Sequence, residues 1–200
     1  GLEVVLGDDE GTVVTLGKGL WKDNSALDLK QMIVSSAGSL GIVTAATLTL
    51  QHMPGNSITA MIALRSADFA IDLLMDLERQ FGPLLSAYEG ISPEVLELVR
   101  DSFERINVPF PGLQLDYAVL VELSAPFAVP NEDLLNKLYD GLLPHMAGDG
   151  PVLDAVVDEG GGLWAVRHAI PEALSKRGRV IGCDVAMRRG ELVKFRRRAR

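Results

Sequence analysis

Lys22-Asp23-Asn24-Ser25-Ala26-Leu27-Asp28-Leu29-Lys30-Gln31-Met32 leads, after Ile33 and Val34, into Ser35-Ser36-Ala37-Gly38-Ser39-Leu40-Gly41-Ile42-Val43-Thr44-Ala45-Ala46-Thr47-Leu48. Leu27, Leu29, Met32 and Ile33 have the spacing of a short helix or turn. Residues 35–41 are small, and residues 42–50 are rich in β-branched side chains and read as a strand. Gly38 and Gly41 tolerate positive φ and let backbone N–H groups come close to an anion such as a dinucleotide pyrophosphate. Ile42 and Val43 would then wall a flat ring. A turn of this composition is equally a plain entry into a buried strand.

Upstream, residues 1–16 read as a hairpin turning at Gly7-Asp8-Asp9-Glu10-Gly11. Residues 17–25 form a polar loop carrying Trp21. Pro54-Gly55-Asn56 closes the strand and marks a domain boundary, giving parts 1–54 and 55–200. Beyond it, strands are expected at 57–64, 83–88, 117–123, 151–157 and 179–187. Helices are expected at 67–81, from Ser92-Pro93-Glu94 onward, and at 131–142 and 163–174, the last with Pro171 near its end. This alternation predicts an α+β fold: a largely antiparallel sheet with helices on one face.

Hydrophobic residues make up 48% of the 200, ample for a core, and the longest apolar runs are too short to span a bilayer. The chain opens on Gly1 in what already reads as a strand, so an upstream part is expected. A net charge of −8 argues against nucleic acid as the main partner. That total hides an asymmetry: residues 176–200 hold ten of the nineteen basic side chains and two acids, +8 locally against −16 elsewhere. The terminal arginines read as the solvated face of a helix rather than as a nucleic-acid or membrane patch. Cys183 is the single cysteine, which rules out an intrachain disulfide and suggests a reducing, cytoplasmic setting.

Generic motifs are few. Gly17-Lys18 lacks the glycine that a phosphate loop needs five positions earlier, where Thr12 stands. His52, His145 and His168 have no metal-ligand spacing, so no metal is assigned. No nucleophile elbow is present. Asp158 and Glu159 are adjacent and would point to different sides, a weak acid–base pair. Gly160-Gly161-Gly162 reads as an approach to the next helix.

The opening stretch nevertheless resembles, over about thirty residues, the end of the flavin-binding domain in the D-lactate and D-2-hydroxyglutarate dehydrogenase family of FAD-linked oxidases, the vanillyl-alcohol-oxidase type. That family typically reads KDNTGYDLKQL and then GSEGTLGIVTEATL. Leu85-Ser86-Ala87-Tyr88-Glu89 is similar to its LSAFE strand, and Leu163-Trp164-Ala165-Val166-Arg167 with Glu172-Ala173-Leu174 is similar to its LWxxR…EAL helix. The resemblance implies that residues 1–54 are the C-terminal part of an FAD-binding domain and 55–200 an incomplete substrate-binding domain. It implies FAD held in part by Ser36, Gly38, Ser39, Gly41, Ile42 and Val43, and Arg167 clamping the carboxylate of a D-2-hydroxy acid that is oxidised to a 2-oxo acid by hydride transfer to the flavin. The intact protein admits a divalent metal on a histidine motif that these residues do not contain, and a homodimer; the electron acceptor is not readable.

Three departures qualify this. Ala37 replaces the family's glutamate, and Ala26-Leu27 its Gly-Tyr. Pro171 and Gly182 stand where the D-2-hydroxyglutarate branch carries a threonine and a lysine, so poor use of that dicarboxylate is expected. The alternative is a non-catalytic structural or interaction remnant, and a weaker one is an aldonolactone- or ether-lipid-type flavoenzyme. The piece alone is expected to be inactive.

Overall fold

The structure, a computed structural model, describes residues 1–22, 27–50, 53, 55–125 and 129–199. Residues 23–26 of the family-like stretch, His52, and Pro54 at the expected boundary lie outside the described residues. The chain divides into two compact units, Gly1–His52 and Met53–Arg200.

The first unit is a three-stranded antiparallel sheet of β1 (Leu2–Leu6), β2 (Val13–Leu16) and β3 (Gly41–Ala46), ordered β2-β1-β3, with one helical turn, α1 (Lys30–Ile33). The β1–β2 turn is fastened by Asp8, whose carboxylate accepts from the Thr12 N–H at 2.8 Å, and by Gly11 at φ +64°. Strand β3 stops at Ala46, short of the expected Leu50, and Leu48 and Leu50 are exposed. Only Val4 and Gly41 are buried among the described residues of this unit. They are buried against each other: a Cβ at Gly41 would lie 2.7 Å from both Val4 Cγ1 and the Val5 carbonyl oxygen.

The second unit is built on a four-stranded antiparallel sheet, ordered β5-β6-β4-β7. Its elements are β4 (Asn56–Leu64), α2 (Ala70–Phe81), β5 (Leu85–Ile91), α3 (Pro93–Ser102), β6 (Tyr117–Ala125), α4 (Asn131–Met146), β7 (Val152–Asp158), α5 (Gly162–Arg177) and α6 (Leu192–Ala199). With α2 between β4 and β5 and α4 between β6 and β7, this order is the split β-α-β arrangement of ferredoxin-like folds. The α+β class read from the sequence is the class observed.

Helices, however, cover both faces of this sheet and not one. Ile58, Ala60, Ile62 and Leu64 of β4 pack with Leu73 and Leu77 of α2 and Leu134, Leu138 and Leu142 of α4. The intervening Met61 and Ala63 pack with Leu96 and Val99 of α3 and Leu163, Val166 and Ala169 of α5. A strand apolar at successive positions has no solvent face, and periodicity alone does not say what covers each side. Gly141 lets α4 approach α2, since a Cβ there would sit 2.7 Å from Gln80 Oε1 and 2.8 Å from Phe81 Cζ.

Two further expectations are corrected. Residues 179–188 form no strand: no described segment pairs with them, and Val180, Ile181 and Val185 are exposed. Strand propensity is not enough without a partner for the backbone groups. Helix α5 runs to Arg177, three residues past the expected end, with Pro171 inside it.

The basic C-terminal stretch is not simply solvated either. Arg189 makes two hydrogen bonds to the Glu78 carboxylate, at 2.6 and 2.8 Å. Arg196 bonds Asp116 at 3.1 Å and lies 5.0 Å from the centre of the Tyr117 ring, while Arg197 pairs with Asp68. Acidic side chains elsewhere in the unit thus draw in part of the local positive charge.

Gly41→Ala tests the closure of the first sheet. Overpacking at a backbone with φ +157° is expected to cost about 1–3 kcal/mol, seen as faster amide exchange across β1 and β3. Unchanged exchange would show that Val4 yields without cost.

Candidate functional site

Helix α5 begins on a captured carboxylate. Asp158, at the end of β7, accepts from the Gly160 N–H at 3.0 Å and the Leu163 N–H at 3.3 Å. Gly161 stands at φ +81°, which a Cβ would strain, so the three glycines wrap the chain around this group. The backbone N–H groups hold the Asp158 carboxyl below its ordinary value. Asp158 therefore ties down the turn that leads through Gly161 into α5. Its neighbour Glu159 accepts from Asn131 Nδ2 at 2.8 Å.

Thus anchored, α5 carries Trp164, Arg167 and His168 along one side. Glu89 of β5 accepts from Arg167 Nε. Glu122, on the adjacent β6, accepts from Trp164 Nε1 at 2.8 Å and from Ser86 Oγ at 2.6 Å. The Trp164 and His168 rings stack with centroids 5.6 Å apart. Leu163, Val166 and Ala169 face the core between these polar groups. The apolar positions of α5 thus seat it on the sheet while two carboxylates from the sheet hold its polar tips.

Arg167 and Glu89 border an open pocket of about 420 Å³, lined also by Gly90, Ile91, Ser92, Val95 and Ile170. Only Nε of Arg167 is engaged among the described residues. The guanidinium, about one-third exposed, keeps terminal donors for a second acceptor. A second pocket, of about 510 Å³, lies between the 107–113 loop and β7 and includes Phe110, Val156 and Leu163. It is bordered by Asp154 and Asp158, and both carboxylates already accept backbone N–H groups.

The other expected site residues lie together in the first unit. Ser35, Ala37 and Gly38 have φ of +68°, +51° and +80°, so residues 35–39 coil tightly. The N–H groups of Ser36 and Ser39 bond the Ile33 and Ser36 carbonyls, each at 3.0 Å, and Ser39 Oγ bonds the Ser36 carbonyl at 2.5 Å. Those of Ala37 and Gly38 have no partner among the described residues. A Cβ built on Gly38 would meet nothing within 4 Å. The turn can therefore present two N–H groups to an anion.

Gly41 is different, because the space its Cβ would need is filled by β1, so its smallness is explained by packing. Ile42 and Val43 follow on β3, 69% and 47% exposed, and offer apolar surface. The contacts of Glu89 and Glu122 were not legible in the sequence: Glu89 stands in the family-like Leu85–Glu89 stretch and each is the lone carboxylate of its strand, but neither feature names a partner on α5.

No family model matches the chain. Among curated proteins it is 31% identical, over 191 residues, to a mitochondrial D-2-hydroxyglutarate dehydrogenase of Rattus norvegicus, covering 94% of this chain and 34% of that protein. The mitochondrial D-2-hydroxyglutarate dehydrogenase of Arabidopsis thaliana is 29% identical over 187 residues, covering 94% of this chain and 33% of that protein. A D-2-hydroxyglutarate–pyruvate transhydrogenase of Saccharomyces cerevisiae is 25% identical over 194 residues, 96% of this chain and 38% of that protein. The chain thus spans about a third of the length of these relatives.

The expectation of a cytoplasmic setting is overturned, since the rat and Arabidopsis relatives are both named mitochondrial. A single cysteine excludes an intrachain disulfide but does not tell one reducing compartment from another. No described helix is long and apolar enough to cross a membrane.

Replacing Asp158 by alanine tests the turn into α5, and the loss is expected to be about 1 kcal/mol near neutral pH. Because the folded-state value is lowered, this stabilisation is complete above the unfolded carboxyl's pKa and fades as pH falls through the folded one. Melting temperatures of the two proteins should therefore converge in acid. A constant gap down to strongly acidic pH would rule out a role for the ionised carboxylate.

Proposed function

We propose, from the likeness of almost the whole chain to a segment of D-2-hydroxyglutarate dehydrogenases, that the intact protein is an FAD-dependent oxidoreductase converting a D-2-hydroxy acid to a 2-oxo acid. What carries the reading is the likeness over 94% of the chain to proteins named for oxidation of such an acid. The remnant reading has no comparable support.

In this account the first unit is the end of the flavin domain and the second is part of the substrate domain. The Ala37 and Gly38 N–H groups suit a pyrophosphate oxygen, which supports Gly38 among the expected cofactor contacts, whereas the Ser36 and Ser39 N–H groups are bonded within the turn itself. Ile42 and Val43 suit the flat ring, and Gly41 shapes the turn by lying tight under β1. When bound, FAD supplies the hydride acceptor.

The protein's own part is to orient. Arg167 offers a planar fork to the substrate carboxylate. Ile91, Val95 and Ile170 supply the apolar part of the pocket beside that fork. No group of three or more His, Cys, Asp or Glu that could hold a divalent metal lies among the described residues.

Arg167→Ala in the intact protein is expected to lower kcat/KM by roughly 30- to 1000-fold, with little change in flavin content or melting temperature. Normal kinetics on its best 2-hydroxy acid would remove the clamp. Pro171, one turn beyond Arg167, has no side-chain donor, and Gly182 has no side chain to pair a second carboxylate. A substrate panel should accordingly favour a monocarboxylic 2-hydroxy acid over D-2-hydroxyglutarate by ~100-fold in kcat/KM. A preference for D-2-hydroxyglutarate would point to another cation, with Arg179 or Arg188 as the first to replace.

A further inference from the structure

We propose that Glu89 is a positioning residue for the substrate clamp: it grips Arg167 by Nε, so that the end of the guanidinium carrying the two terminal amino groups is the edge offered to a carboxylate. The inference rests on Arg167 being that clamp. Its own ground is the bond between Glu89 on β5 and Arg167 on α5, 78 positions apart, at the rim of one pocket.

A guanidinium has two edges that can take a carboxylate side by side. One pairs Nε with a terminal nitrogen, and the other pairs the two terminal nitrogens. A free arginine on a helix presents either edge through many rotamers, and binding must then order the side chain as well as the substrate. With Nε engaged by Glu89, the first edge is occupied and the rotamer is set. The second edge remains without a partner among the described residues.

The same device occurs one turn earlier on α5. Glu122, on the neighbouring strand, holds the Trp164 indole N–H, and its other oxygen is held by Ser86. Trp164 and Arg167 are three residues apart, so two sheet carboxylates fix two polar tips along one side of the helix.

A plain structural ion pair is the competing account. Both partners are about one-third exposed, and pairs of that exposure stabilise a fold little. A carboxylate so close to a substrate-binding arginine also lowers its net pull on an anion. Its presence is better explained by geometry than by stability or charge.

The test is a set of variants in the intact, flavin-loaded protein: Glu89→Ala, Glu89→Asp, Glu89→Gln, and Glu89→Ala combined with Arg167→Ala. Aspartate keeps the charge but is one methylene too short, and glutamine keeps an acceptor oxygen at full reach without the charge. Positioning predicts that the alanine and aspartate variants each lose about 10- to 100-fold in kcat/KM, with KM rising for the 2-hydroxy acid. Glutamine should recover most of that loss, and adding Glu89→Ala to Arg167→Ala should cost almost nothing further.

Wild-type kinetics for Glu89→Ala or Glu89→Asp would overturn the proposal, and so would glutamine behaving like alanine. So would a full additional loss in the double variant, which would mean that Glu89 acts by itself. If alanine fails to fold, aspartate against glutamine still decides. Should Arg167→Ala alone prove normal, the clamp reading fails and this inference with it. An impaired Arg167→Ala beside a normal Glu89→Asp would sink only the inference.

Discussion

A strand with apolar side chains on both faces has to be covered twice, and β4 is such a strand. It pairs with β6 on one side and β7 on the other, and from Ile58 to Leu64 it is buried throughout. The positions of the helices follow from that burial. The Ile58 side takes α2 and α4, which cross close together at Gly141, and the Met61 side takes α3 and α5. Burying a leucine- or isoleucine-sized side chain is worth ~1.5–3 kcal/mol, far more than any exposed ion pair in this chain. The polar groups of α5 are therefore passengers on an apolar framework, placed by Leu163, Val166 and Ala169.

That order of causes explains what could be read from the sequence. The strands and helices of the second unit, and the α+β class, follow from runs such as residues 57–64 and from the Ser92-Pro93 start of α3. The second covered face was not legible, because Met61 and Ala63 continue an apolar run without saying which helix meets them. The strand expected at 179–187 is missing for a related reason. Val180, Ile181 and Val185 have strand propensity, but a strand also needs a neighbour, and residue preferences carry no information about one. In the first unit β3 ends at Ala46, although the β-branched pattern runs on to Leu50.

The candidate site was legible only through motifs. Arg167 and the turn at residues 35–43 were singled out by resemblance, and the structure supplies physical detail that a motif lacks. Gly38 leaves open space where Gly41 fills a packing need, so two glycines of one motif have different causes. Glu89 and Glu122 act through contacts 78 and 42 residues distant in the chain, beyond the reach of any local pattern. The adjacency of Asp158 and Glu159 carries no sign that Asp158 holds the N–H groups of Gly160 and Leu163 at the entry to α5.

The central claim is that these residues belong to a protein in which a 2-hydroxy acid delivers a hydride to a bound flavin. The most direct measurement is anaerobic mixing of the intact, purified protein with D-2-hydroxy acids while the visible absorbance of the flavin is followed. The account predicts that the oxidised-flavin absorbance disappears on mixing, that L-enantiomers leave it unchanged, and that one 2-oxo acid forms per flavin reduced. A protein that binds no flavin, or whose flavin stays oxidised with every 2-hydroxy acid offered, would contradict it.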